Sequence, residues 1–224
     1  MADPMKGIAH ETQAQLKALS ITPGRPLIAV DADEVLVVFV DHLSRWMETI
    51  GFEMRLVRYQ LEGSMFPKGS NTPLPFDECL GLINRFFDEQ TLSQRAIPGA
   101  AETLARLAGD AQVVVLTNVP RGATETRRQN LASLGIPYPV VVNSGGKGPA
   151  IAWLATQADA PTAFIDDSVK QIESVAKHAP GVVRLHFAWA EFIHAFYPDC
   201  ADASAQVRDW PSAETELRAR LGLG

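Results

Sequence analysis

Two aspartates one residue apart, Asp31 and Asp33, follow directly on the apolar run that starts at Pro26. Such a run reads as a buried strand, and in an open parallel sheet ligands bind beyond the carboxyl ends of the strands, which is where these acids fall. A carboxylate there can hold a metal, attack as a nucleophile, or do both. A second acid pair, Asp166-Asp167, ends the run that starts at Pro161, and a third run, from Val113, ends in Thr117-Asn118. Lys147 stands in a loop flanked by Gly145, Gly146 and Gly148. Each position also has a plain structural rival: a turn or helix cap for the acids, a strand-end hydroxyl for Thr117, a solvated charge for Lys147. What favours chemistry over these rivals is that three strands deliver polar side chains to one edge.

These side chains need a scaffold, and the apolar periodicity supplies one. A short helix is expected at about 10–19, a turn at Thr22-Pro23-Gly24, and the first strand at about 27–31. Val40, Leu43, Met47 and Ile50 then share one helical face, as do Leu80, Ile83, Phe86 and Phe87, with an irregular stretch from Gly63 to Pro75 between them. Together they read as a mostly helical insertion over 38–96. A helix opened by Pro98 leads into a strand at 112–117. A helix at 122–134, a strand at 139–142, the Lys147 loop and its helix, and strands at 162–166 and 182–186 complete the alternation, before a terminal helix after Trp210-Pro211. Strands alternating with helices imply right-handed βαβ units, a parallel sheet covered on both faces, and hence an α/β fold.

Composition narrows the partners. With 46% hydrophobic and 21% charged residues the chain can build a sizeable core. A net charge of −6 argues against a nucleic-acid polymer as ligand, which would call for a basic stripe. Cys79 and Cys200 lack metal-ligand spacing, the first residues lack an apolar signal core, and the longest apolar run, Val35 to Val40, is too short to span a bilayer. A cytoplasmic protein with no membrane partner is expected. The aromatic-rich tail from about 188 onward leaves a homodimer open. Arg121, Arg127 and Arg128 read as solvated helix charges, and His186 and His194 as framework residues. Trp46, Phe66, Phe86 and Phe87 read as core aromatics of the insertion, with one facing a ligand.

Taken in order, Asp31-x-Asp33, Thr117-Asn118, Lys147 and Asp166-Asp167 resemble the four motifs of the haloacid dehalogenase-like (HAD-like) hydrolases, a superfamily dominated by magnesium-dependent phosphatases. The helix opened by Pro98 is typical of that family too, and the insertion occupies the place of its helical cap. The resemblance covers nearly the whole chain. It implies a three-layer Rossmann-like core, 1–37 and 97–224, with a mostly helical cap at 38–96.

The resemblance also implies a mechanism: hydrolysis of a small phosphorylated metabolite, such as a nucleotide or sugar phosphate, through an aspartyl-phosphate. Asp31 would be the nucleophile and Asp33 the acid and base, both catalytic. Mg2+ would be held by Asp31, the backbone carbonyl of Asp33 and Asp167, with Asp166 in support. Thr117, Asn118 and Lys147 would bind the phosphoryl group. A phosphotransferase or mutase, or a catalytically silent phospho-ligand binder, are the rivals. A response-regulator receiver uses similar residues but carries its acid pair first and its acceptor later, the reverse of the order here. One position departs from the family, which usually has glycine after the second aspartate where this chain has Glu34. That residue implies a different turn or backbone strain, and an added carboxylate that would disfavour anionic substrates.

Overall fold

The computed structural model describes residues 5–56, 62–197 and 199–224. Its elements in chain order are α1 (His10–Lys17), β1 (Leu27–Val30), α2 (Val40–Thr49), β2 (Phe52–Met54), β3 (Met65–Pro67), α3 (Phe76–Gln90), α4 (Ala100–Leu107), β4 (Gln112–Thr117), α5 (Thr124–Ser133), β5 (Val140–Val142), α6 (Gly148–Ala158), β6 (Thr162–Asp166), α7 (Val169–His178), β7 (Val183–Phe187), α8 (Glu191–Phe196), β8 (Ala205–Val207) and α9 (Trp210–Leu221). Six strands form one parallel sheet in the order β5-β4-β1-β6-β7-β8. β1 lies at its centre, fully buried, because Leu-Ile-Ala-Val meets a helical layer on each side. Its side chains alternate between the layers: Ile28 and Val30 join the core that includes Leu104, Trp210 and Leu217, whereas Leu27 and Ala29 join Leu16, Leu154 and Val175. The α/β, three-layer Rossmann-like architecture expected from the alternation is the one observed.

The sixth strand, β8, was not expected. Within the aromatic-rich tail, part of the aromatic surface lies inside the protein. Trp210 is fully buried and donates its indole N–H to the Val35 carbonyl at 3.0 Å, and Phe187 packs on it with ring centroids 5.4 Å apart.

Between β1 and α4 the chain leaves the sheet and returns. Val38 N–H donates to the Arg95 carbonyl at 2.9 Å and Ile97 N–H to the Leu36 carbonyl at 2.8 Å, so the outgoing and returning strands brace each other. The segment they enclose carries α2 and α3 plus a small antiparallel hairpin, β2–β3, in which Glu53 pairs with Phe66. β3 falls inside the Gly63–Pro75 stretch that sequence alone reads as irregular. The buried face of α3 also shifts, to Cys79, Leu82, Phe86 and Phe87, leaving Leu80 45% exposed. A helix can present several overlapping apolar stripes, and packing chooses among them. Trp46 and Phe86 meet edge to face at 5.6 Å inside a cluster that also takes in Val119 and Val142 from beyond β4 and from β5.

Candidate active site

All strands of the main sheet run parallel, so β1, β4 and β6 end on one edge and present Asp31, Thr117 and Asp166 there. After β1 the chain turns tightly. The Ala32 carbonyl accepts from the N–H groups of Leu36 at 2.8 Å and Val37 at 2.9 Å, and Glu34 N–H donates to the Val37 carbonyl at 2.8 Å. The turn aims Asp31 and Asp33 into the same cavity.

That cavity has a volume of about 280 Å³ and is lined on its polar side by Asp31, Asp33, Glu34, Thr117, Asn118, Asp167 and Ser168. Its apolar wall is Phe39, Val40, Leu56, Ile83 and Phe87, all from the segment between β1 and α4. Of Trp46, Phe66, Phe86 and Phe87, Phe87 is the one that lines the cavity, beside Phe39. Phe66 instead lies beneath the Arg55 guanidinium, 4.6 Å from ring centre to Cζ.

Asp31, Asp166 and Asp167 each offer a carboxylate oxygen within 4.8 Å of the others, and all three are buried. Three hard oxygen donors at that spacing suit Mg2+, which takes oxygen ligands and binds through a few carboxylates. Lys147 reaches the same group. Its side chain is 2% exposed, with Nζ 2.7 Å from Asp31 Oδ1 and 2.6 Å from Asp166 Oδ2. The first contact is an ion pair that falls outside hydrogen-bond geometry. Burial works to lower the Lys147 pKa, but Asp166 and Asp31 outweigh it and hold the ammonium charged. Burial pushes the Asp166 carboxyl up, against the pull of Lys147.

Lys147 owes its position to close helix packing. A Cβ on the neighbouring Gly148 would sit 2.1 Å from the Ser174 carbonyl oxygen, so only glycine lets α6 start this close to α7. Gln171 then fixes the loop, accepting from Lys147 N–H at 2.8 Å. Behind the acid pair, His186 is buried and burial lowers its pKa. Gln206 Nε2 donates to its Nδ1 at 2.9 Å, which leaves Nε2–H to donate to the Asp167 carbonyl at 2.9 Å. His186 is framework, as expected.

Thr117 is fully buried, and its hydroxyl has no hydrogen-bond partner among the described residues, although the residue lines the cavity. Asn118 is placed differently. Its Nδ2 donates to the Gly145 carbonyl at 2.9 Å and its Oδ1 accepts from Asn143 at 3.0 Å, so the side chain braces the loop leading to Lys147.

Asp33 carries the largest departure from expectation, because of what holds it. Arg127, expected to be solvated, is fully buried, and its Nη2 donates to Asp33 Oδ1 at 2.6 Å. Arg128 does stay exposed, and the Arg121 side chain lies outside the described residues. Gln94 Nε2 adds a longer contact to the same oxygen at 3.4 Å. Burial raises the Asp33 pKa, with Arg127 opposing and Asp31 reinforcing. A signal for Arg127 did exist in the sequence: it stands in helical register with the apolar Ala123, Leu131 and Leu134.

Glu34 keeps the left-handed conformation a glycine would adopt, with φ of 59°. Its carboxylate is buried and stands apart from the three-aspartate group. One oxygen accepts from the N–H groups of Phe39 at 3.1 Å and Val40 at 2.5 Å, at the start of α2, and the other from the Trp189 indole at 2.7 Å. Burial raises its pKa and these donors oppose the rise. No sequence pattern could have paired Glu34 with Trp189.

No family model and no curated protein matches the chain. Solved structures do. A HAD-like family hydrolase from Streptococcus pneumoniae superposes with a TM-score of 0.61 at 15% identity, covering 86% of this chain and 98% of its own. A predicted phosphoglycolate phosphatase from Haemophilus somnus gives 0.58 at 15%, covering 88% and 99%. A magnesium-bound HAD-hydrolase from Bacillus subtilis gives 0.52 at 13%, covering 88% and 99%. The fold is that of the HAD-like hydrolases.

Proposed function

We propose that this chain is a magnesium-dependent phosphatase that hydrolyses a small phosphorylated metabolite through an aspartyl-phosphate, in the cytoplasm, with residues 38–96 as the cap over its site. The observation that carries the reading is the Thr117 hydroxyl, buried without a partner beside the cavity into which Asp31 points. An unpaired buried hydroxyl is costly, and a ligand oxygen would satisfy it. Kinship of fold with a predicted phosphoglycolate phosphatase and with a magnesium-bound HAD-hydrolase supports the class of chemistry.

In this reading Asp31 Oδ attacks phosphorus, and the bond from phosphorus to the ester oxygen breaks. Asp33, its pKa raised by burial, gives its proton to the departing oxygen and then takes one from the water that cleaves the aspartyl-phosphate. Thr117 donates to a phosphoryl oxygen, and the Lys147 ammonium offsets charge on that group and on Asp31. Asp31, the Asp33 carbonyl and Asp167 would hold Mg2+, with Asp166 in support, and the ion when bound would offset repulsion between carboxylate and phosphate. The apolar wall would exclude water and hold the organic part of the substrate.

The test is phosphate release across a panel of phosphorylated metabolites. Excess chelator should abolish release and millimolar Mg2+ restore it, and Asp31→Asn should lower turnover at least about a thousandfold while the protein stays folded. A wild-type rate from Asp31→Asn, or full activity in chelator, overturns the reading. Transfer of the phosphoryl group to an added acceptor, with no inorganic phosphate, would make the protein a transferase.

A further inference from the structure

Arg127 takes no part in the steps above, yet it is fully buried at the edge of the site. Burying a guanidinium is costly, and as packing alone an apolar side chain would serve as well. Its two terminal nitrogens are aimed, while Nε has no hydrogen-bond partner among the described residues. Nη2 lies 2.6 Å from Asp33 Oδ1, and Nη1 lies 3.4 Å from Asn130 Oδ1 one turn along α5. Asn130 in turn donates to the Gln94 carbonyl at 3.0 Å, and Gln94 brings its own amide to Asp33 Oδ1. Both described donors thus converge on one oxygen of Asp33, leaving Oδ2 for the cavity. Arg127 itself does not line that cavity, which Asp33 and Phe87 do, and its Cζ lies 5.8 Å from the Phe87 ring centre.

We propose that Arg127, assisted by Gln94, is the positioning residue for Asp33: it fixes the carboxyl in one rotamer with Oδ1 occupied, so that Oδ2 meets the leaving-group oxygen. The inference rests on the phosphatase reading. An aspartate without such donors would sample several staggered rotamers, and a proton donor works only within hydrogen-bond reach of the oxygen it protonates.

The experiment compares 4-nitrophenyl phosphate, whose phenolate leaves without a proton, with glycerol 2-phosphate, whose alkoxide cannot. Wild type, Arg127→Met, Arg127→Lys, Gln94→Ala, Asp33→Asn and the Arg127→Met/Asp33→Asn double variant are assayed with saturating Mg2+. Arg127→Met should lower kcat on the alkyl ester about 10- to 100-fold and on the aryl ester less than about threefold, with KM on both within about twofold of wild type. Gln94→Ala should show the same signature, weaker. In the Asp33→Asn background Arg127→Met should cost nothing further. Equal losses on both esters, a loss expressed in KM, or additive losses in the double variant overturn the proposal and leave the phosphatase reading standing. Should Arg127→Met not fold, Arg127→Lys, which keeps the charge without the forked donors, carries the same comparison. A wild-type protein that releases phosphate from neither ester and from no member of the metabolite panel refutes the phosphatase reading and the positioning role with it.

Discussion

Replacing Glu34 by glycine sets two terms of opposite sign against each other, and the structure says which should prevail. In favour of glycine is the backbone: at φ of 59° an L-residue carries about 1–2 kcal/mol of strain, of which the extra freedom of an unfolded glycine takes back about 0.5–1 kcal/mol. Against it are the three donors held by the Glu34 carboxylate, from Phe39, Val40 and Trp189. A hydrogen bond to a charged group contributes about 1.5–3 kcal/mol. Desolvation of the carboxylate, seen in its raised pKa, and water entering the vacated space both reduce that, so about 1 kcal/mol per donor is a sober figure. The balance is a net loss of about 2 kcal/mol or somewhat more, worth roughly 4–8 °C in Tm for a chain of this size. Urea and thermal unfolding at pH 7 should place Glu34→Gly well below wild type. Glu34→Gln should fall between them, since its amide keeps one acceptor but sets a donor against the Trp189 indole. A Glu34→Gly protein as stable as wild type, or more so, would show that strain dominates and that the carboxylate is not what anchors α2.

Thr117→Val should leave stability unchanged or raise it by up to about 1 kcal/mol, because the buried hydroxyl it removes has no partner, while slowing phosphate release roughly a hundredfold on every substrate; marked destabilisation would reveal a structural role. Asp209 caps α9 by accepting from Ser212 N–H at 2.7 Å, and the Ser212 hydrogen bonds hold its carboxyl below the usual range. A depressed folded pKa contributes stability above the unfolded value of about 3.9 and loses it as pH falls through the folded one, so Asp209→Ala should cost about 1 kcal/mol at pH 7, a gap that narrows as pH falls through the folded value. A gap that persists in acid would contradict the cap. Phe87→Ala should reorder a substrate panel, since Phe87 lines the cavity and stacks on Phe39 at 5.6 Å, whereas Phe66→Ala should not; reordering by Phe66→Ala alone would place the specificity wall elsewhere.

The sheet and the residues at its carboxyl edge were readable because both follow from local patterns. An apolar run of four to six residues that ends in a polar one marks a buried strand and its exit, so Asp31, Thr117 and Asp166 could be placed on one edge before any coordinate was known. Lys147 came forward only through the family resemblance, since its glycine-flanked loop reads equally well as a solvated one until the packing of α6 on α7 is seen. The face of α3 was not legible, since Leu80 and Leu82 are equally apolar and only the partner surface chooses which is buried. The strands β2, β3 and β8 escaped because three residues carry too little periodicity to be distinguished from loop, whereas the equally short β5 shows itself as an unbroken β-branched run, Val140-Val141-Val142.

What the sequence by itself determined is which polar side chains share the carboxyl edge of the sheet and in what order, because a strand's direction fixes where its last side chain goes. What only the tertiary structure decided is how those groups are held. Arg127 meets Asp33 across 94 positions and Trp189 meets Glu34 across 155. The charge of a side chain can be read from its type, but whether that charge is solvated or spent on a buried partner depends on which distant residue the fold sets beside it.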